Sequence, residues 1–417
     1  MQSLPDEIIQ QIVSYLPYQS VIAVEQTCHR IQGLIGPAVW RHLCRTNYQY
    51  WAPDRQILAK SARPVGDVDW RSLFIERVKL DREIDSRLHQ ILSEQHDRTR
   101  KVKWIVELGW DAKDALLRHT KAHDVDDILA RQWYANATLA CLHRSLAIDC
   151  WLALGGDDVC EVPLEDALGA FDLFVSSEPE KNHGRISIVL DNLKLDFLNH
   201  QTDFSAMDLA AQTVAIAQYV RQHDFVGIRD NIGAHYHDMK NNFIGHVLSQ
   251  VPHSSLPLIS VAIFCSLAQR LGVHARPCGF PFHVLAIVET GSDNAIFMDP
   301  FRSDRQVERS NLISQLTTMG APPRDHESLL QPASSLEIVA RCARNIITSF
   351  QSMTQEDNAN NAEPRADLAL YAALWALLVT ARHRNEWSPL QETYLQVIVE
   401  NTEAQYATGM FDLLRSS

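Results

Sequence analysis

Apolar positions along this chain recur mostly three and four residues apart, which predicts a largely helical protein with one short stretch of strands. Near the start, Ile8, Ile9, Ile12 and Leu16 make one such stripe. Pro5, Asp6 and Glu7 suit the first turn of a helix, and Pro17 stops it. Ser20 is the expected N-cap of a second helix over 21–31, with Gly33 and Gly36–Pro37 marking its end. A third short helix carries Trp40, Leu43 and Cys44.

From 67 to 155 the pattern is helical throughout, with expected segments at 70–91, 102–108, 112–117 and 128–151. Residues 160–350 change character. Amphipathic helices are expected at 163–174 and 203–222, followed by a mixed segment. Within it, Pro257 opens a helix that is apolar on nearly every side and closes at Gly272, the pattern of a buried core helix. Strands are expected over 273–279, 282–289 and 295–300. If the last two form a hairpin centred near Gly291, His283 and Asp299 are equidistant from its turn and meet across it. The polar run QSMTQEDNANNAEPR, 351–365, reads as a flexible linker. Helices at 366–381 and 388–407 end the pattern, within a C-terminal helical region over 366–410.

Composition narrows the function classes. An apolar fraction of 46% and a charged fraction of 21% are those of a globular chain, so a packed core is expected in each region. With 51 acidic against 38 basic residues, a net charge of −13 and no Lys/Arg run, nothing favours a nucleic-acid partner. Eight scattered cysteines without a Cys-x-x-Cys pair imply reduced thiols in a cytoplasmic or nuclear setting, and no metal or cofactor is expected. The first residues carry no secretory pattern, and no stretch approaches the roughly 18 apolar residues of a membrane span.

The string LPDEIIQQIVSYLP, then SVIAVEQTCHRIQGLI and AVWRHLC, resembles the F-box motif over residues 1–50. It has both Leu-Pro pairs, the aliphatic helix, the Cys28–Arg30 position and the Trp-Arg. Helices below about 40 residues bury too little to stand alone, so such a motif must dock on something. The resemblance implies the partner: the Skp-type adaptor of a Skp–cullin–F-box ubiquitin ligase. Leu4, Pro5, Ile8, Ile9, Leu16, Pro17 and Trp40 would lie at or near that interface.

Residues 160–350 resemble the SirB-type transglutaminase-like domain, a papain-related α+β fold whose triad is Cys, His, Asp. The shared residues are Tyr236-His-Asp, Asn241-Asn-Phe, Val247-Leu248, Leu-Pro-Leu-Ile-Ser, Arg270-Leu-Gly, Gly279-Phe-Pro-Phe-His and Asp299-Pro-Phe. Together with the F-box, the layout is similar to the family of F-box only protein twenty-one and its fungal relatives. Relatives of this kind carry a further C-terminal module resembling a hemimethylated-DNA-binding domain, and nothing up to Ser417 matches it.

The chain departs from the catalytic family at the nucleophile. The position of its Cys, counted back from the matching Gly272, falls on Pro257, within Leu256 to Leu258. His283 and Asp299 then form a vestigial pair, and the implied protein is a non-catalytic substrate adaptor handing an unidentified protein to the ligase. The alternative is a thiol hydrolase or acyltransferase using Cys278 or Cys265 with His283 and Asp299. A third reading is a regulatory scaffold whose F-box acts outside a ligase.

Overall fold

A computed structural model describes residues 4–123, 126–155, 162–176, 185–228, 235–249, 254–290, 295–355 and 366–384. The expected helix at 388–407 and most of the 351–365 run lie outside these residues. The chain forms two compact units, 1–142 and 143–417, and the long helix Ile128–Ala153 crosses from one to the other. Among the described residues no helix is long and apolar enough to cross a membrane.

The first unit opens with four short helices, Asp6–Ser14, Tyr18–Glu25, His29–Leu34 and Pro37–Asn47. The expected second helix over 21–31 is in fact two. Pro17, not Ser20, occupies the N-cap position of Tyr18–Glu25. The break comes where the Thr27 hydroxyl turns back to the Val24 carbonyl, at 2.7 Å, and Cys28 adopts an extended backbone.

These helices bury Ile9, Val13, Val21, Ile31, Trp40 and Leu43 against Trp70 and Phe74 from the helix Trp70–Ser93. Phe74 is the centre of that core, with the rings of Tyr18, Trp40 and Tyr48 at 5.5, 5.7 and 5.7 Å. The long helix therefore completes a core that four short ones cannot close themselves. Arg30 clamps the start of the chain, donating to Asp6 Oδ1 at 2.6 Å and to the Leu4 carbonyl at 2.7 Å.

The second unit holds a four-stranded antiparallel sheet in the order β1 (Ala275–Cys278), β2 (Leu285–Val288), β3 (Ile296–Met298) and β4 (Gln306–Val307). The fourth strand was not expected from the sequence. The helix Pro257–Arg270 packs against β1 and β2, and every residue from Pro257 to Ala268 is buried. On the other face Leu285 and Ile287 join Cys278, Phe280 and Phe297 in a cluster with Leu312 and Leu316 of the helix Arg309–Thr318. Alternation leaves Ala286 and Val288 for the face under the central helix, so β2 is buried on both sides.

The remaining core is helical. Leu164–Val175 lies against Pro257–Arg270 and Ala366–Arg384, and Ala366–Arg384 packs along Ser335–Gln355. The chain is thus mostly α with a small α+β portion, as the pattern predicts.

Candidate functional site

The β2–β3 ladder pairs Ala286 with Met298 and Val288 with Ile296. Its centre is therefore at residue 292, one position beyond the expected Gly291, and His283 and Asp299 both fall just outside the paired residues. They meet nonetheless: His283 Nε2 lies 2.8 Å from Asp299 Oδ2, with both side chains largely enclosed. The backbone turn over 281–283, in which Phe282 takes a φ of 61°, carries the imidazole back to the strand end. That turn leaves the Phe282 ring 94% exposed beside the pair.

Asp299 is held from its own turn. Its Oδ1 accepts the Arg302 amide at 3.2 Å, and its carbonyl accepts the amides of Arg302 and Ser303 at 3.1 and 2.9 Å. Arg221, near the end of the helix Leu209–Gln222, donates to the carbonyls of Pro300 and Phe301 at 2.8 and 2.7 Å. The Phe301 ring lies 6.2 Å from that of His283 and 6.4 Å from that of Tyr236.

A short segment connects this turn to the start of the central helix. Gly227, at a φ of 86°, passes so close to Phe301 that a Cβ would stand 3.1 Å from the Phe301 carbonyl. Its amide donates to the hydroxyls of Ser255 and Ser260 at 3.2 and 3.1 Å, and its carbonyl accepts the Ser255 amide. Those two hydroxyls are 2.6 Å apart and fully buried. The helix opens with Leu256 at the N-cap, Pro257 in the first turn and Leu258 after it, all buried. No thiol stands at Leu256, Pro257 or Leu258, and the two serine hydroxyls beside them are taken up with each other and with the Gly227 amide.

The two candidate thiols lie elsewhere. Cys265 is two turns into the helix and fully buried, which pushes its thiol well above the ordinary range. Cys278 points into the cluster under the Arg309–Thr318 helix, where its sulfur donates to the Leu329 carbonyl at 3.7 Å. Burial pushes its thiol up to about 11, a rise that Arg341 partly offsets. Arg341 also fixes this strand end, donating to the carbonyls of Gly279 and Phe280 at 2.6 and 2.9 Å. Gly279 permits that approach, since a Cβ there would meet Glu337 Oε1 at 2.9 Å. Among the described residues, His283 hydrogen-bonds Asp299 alone.

With Nε2 committed to the carboxylate, Nδ1 is the ring nitrogen left to move a proton. The pair can therefore orient an imidazole and exchange a proton, but among the described residues it faces no activated thiol. Arg221 and Phe282 were not singled out in the sequence. The positive φ that exposes Phe282 has no signature in a non-glycine residue.

The F-box-like surface belongs to the first unit. Of the positions expected at the interface, Pro5, Ile8 and Pro17 are exposed, and Leu4 and Leu16 are half-buried. Ile9 and Trp40 are core residues, 3% and 2% exposed. The single stripe read from the sequence is two. Ile9 and Val13 face inward, while Ile8, Ile12 and Tyr15 stand outward at helical spacing.

Residues 1–46 match the F-box-like family model, and residues 190–344 match that of the transglutaminase-like superfamily. The chain joins an F-box-like domain to a transglutaminase-like domain. The second match spans the central helix, the sheet, His283 and Asp299. Neither a curated protein nor a solved structure matches the chain.

Proposed function

We propose that the chain is the substrate-recognition adaptor of a Skp–cullin–F-box ubiquitin ligase, acting in the cytoplasm or nucleus. In this reading the transglutaminase-like domain is a protein-binding module without a nucleophile. The observation that carries it is the outward apolar face of the F-box-like domain, where Pro5, Ile8, Ile12, Tyr15 and Pro17 stand exposed. A helix that is apolar on two faces has one for its own core and one for a partner. Leu256, Pro257 and Leu258 at the head of the central helix support the non-catalytic half of the reading.

The test is a pull-down of the purified chain with the Skp-type adaptor, beside a variant with Leu4, Pro5 and Ile8 replaced by Ala. Retention of the wild type alone supports the adaptor reading. Failure of both to bind overturns it.

The intact His283–Asp299 contact favours one second reading, a thiol hydrolase or acyltransferase using Cys278 or Cys265. It requires covalent capture by a thiol-reactive amide probe that His283→Ala abolishes.

A further inference from the structure

We propose that Asp196, His200 and His223 form a binding site for a divalent transition-metal ion of the zinc type, bridging two helix ends in the second unit. Asp196 and His200 are one turn apart at the end of the helix Arg185–His200, and so share a face. His223 caps the helix Leu209–Gln222, one turn after Tyr219. One ligand atom from each of the three residues lies within 4.8 Å of the other two, on an exposed surface with room for water to complete the coordination.

Three features prepare these groups as ligands rather than as a chance meeting of polar side chains. His200 Nδ1 is 2.8 Å from the Asp196 carbonyl, and His223 Nδ1 is 3.0 Å from the Tyr219 carbonyl. A carbonyl only accepts, so each Nδ1 carries the proton and each Nε2 keeps its lone pair for a metal. Second, Tyr219 donates its hydroxyl to Asp196 Oδ2 at 2.6 Å, which orients the carboxylate across the gap between the helices. Third, both histidines stand at helix C-termini, where the unpaired carbonyls favour a cation.

The ring packing makes the arrangement stiff. The Tyr219 ring lies tilted against His223 at 4.3 Å and edge-on to Phe197 at 5.2 Å, and the two imidazoles are 5.8 Å apart. The sequence reading expects no metal because it looks for cysteine pairs. Imidazole and carboxylate from two separate helices leave no spacing motif. A bound ion would brace the helix end two residues beyond Arg221, whose guanidinium holds the turn of Asp299.

The experiment is calorimetric titration of the full, chelator-treated chain with Zn2+, repeated on H200A/H223A, on Y219F and on C28S. The expected result is one tight equivalent in the wild type and in C28S, lost in H200A/H223A. Y219F keeps the ring packing and weakens binding about 10-fold, the loss typical of a mispositioned ligand. Circular dichroism checks that the variants remain folded, His200 and His223 being exposed and Tyr219 buried. The same tight equivalent in H200A/H223A overturns the proposal, as does a wild type that takes up no ion. Unchanged affinity in Y219F overturns the role of Tyr219 as a positioning residue.

Discussion

The His283 imidazole and the Asp299 carboxylate meet at 2.8 Å although neither lies on the ladder that brings them together. The contact depends on two turns, one tightened by the positive φ of Phe282 and one pinned by Arg221. It also encloses a carboxylate whose side chain is 6% exposed. Removing the imidazole leaves that carboxylate with the Arg302 amide and, at 3.9 Å from Oδ2, the exposed Arg302 guanidinium. His283→Ala should therefore cost about 1–3 kcal/mol of stability, the penalty for a stranded buried acceptor. His283→Asn should recover part of it. In the same samples, alkylation of Cys265 and Cys278 in the folded protein should be negligible with or without His283. Labelling of Cys278 that disappears in His283→Ala would instead support the thiol enzyme.

Ile8 and Ile9 are neighbours with opposite roles. Ile9 is 3% exposed in the core under Phe74, while Ile8 is 42% exposed. Ile9→Ala should lower stability by about 2–5 kcal/mol through lost burial and a residual cavity. Ile8→Ala and Ile12→Ala should change it by no more than about 0.5 kcal/mol. Denaturant unfolding measures the first effect and adaptor pull-down the second. A binding defect in the two outward variants at unchanged stability separates the partner face from the core face.

Arg77 is fully buried in the first unit, where two carboxylates meet its charge while its Nε has no hydrogen-bond partner among the described residues. It donates to Asp111 Oδ1 at 2.5 Å, to Asp114 Oδ2 at 3.3 Å and to the Tyr50 carbonyl at 2.9 Å. The rings of Tyr48 and Trp51 stand 4.5 and 4.8 Å from the guanidinium carbon. Arg77→Ala takes the shared guanidinium from two largely buried carboxylates, leaving Asp111 with Arg55 and the Ala52 amide and Asp114 with the Gln49 and Tyr50 amides, and should cost about 3 kcal/mol, read as a fall in thermal midpoint. Arg77→Lys should not rescue it, since an ammonium cannot reproduce the planar fork between two aromatic rings.

Much of this was legible because helical period is a local property. The central helix begins at Pro257 as its apolar run predicts, and Trp70–Ser93 follows its stripe closely. What failed was the part set by distant contacts. The division of Ile8 from Ile9 depends on where Phe74 docks, some sixty residues later in the sequence. The His283–Asp299 pair was found from hairpin symmetry despite a one-residue error in the centre, because the side chains reach across the difference. Arg77, with its partners Asp111 and Asp114, looked like ordinary charge on a half-buried helix. Only the fold brings those three together.

Asp172 links stability to pH. From the helix Leu164–Val175 it accepts the amides of Gly245 and His246 at 3.1 and 2.9 Å, capping the helix Ile244–Ser249. Desolvation outweighs these bonds and raises its carboxyl to about 7. Asp166, on the same helix, is raised to about 6 for the same reason, with Glu165 adding to it. In the unfolded chain both titrate near the usual value of about 3.9. Between that value and the folded ones the native state holds more protons than the unfolded state. The contribution of these two groups to stability therefore declines as pH rises from about 4 to about 7, and levels off above. Asp172→Asn removes one of the two titrations, so its stability should fall less steeply over that window. Thermal midpoints from pH 4 to 8 give the comparison, and a wild-type midpoint that climbs across the window with no change of slope in the variant would remove Asp172 from the account.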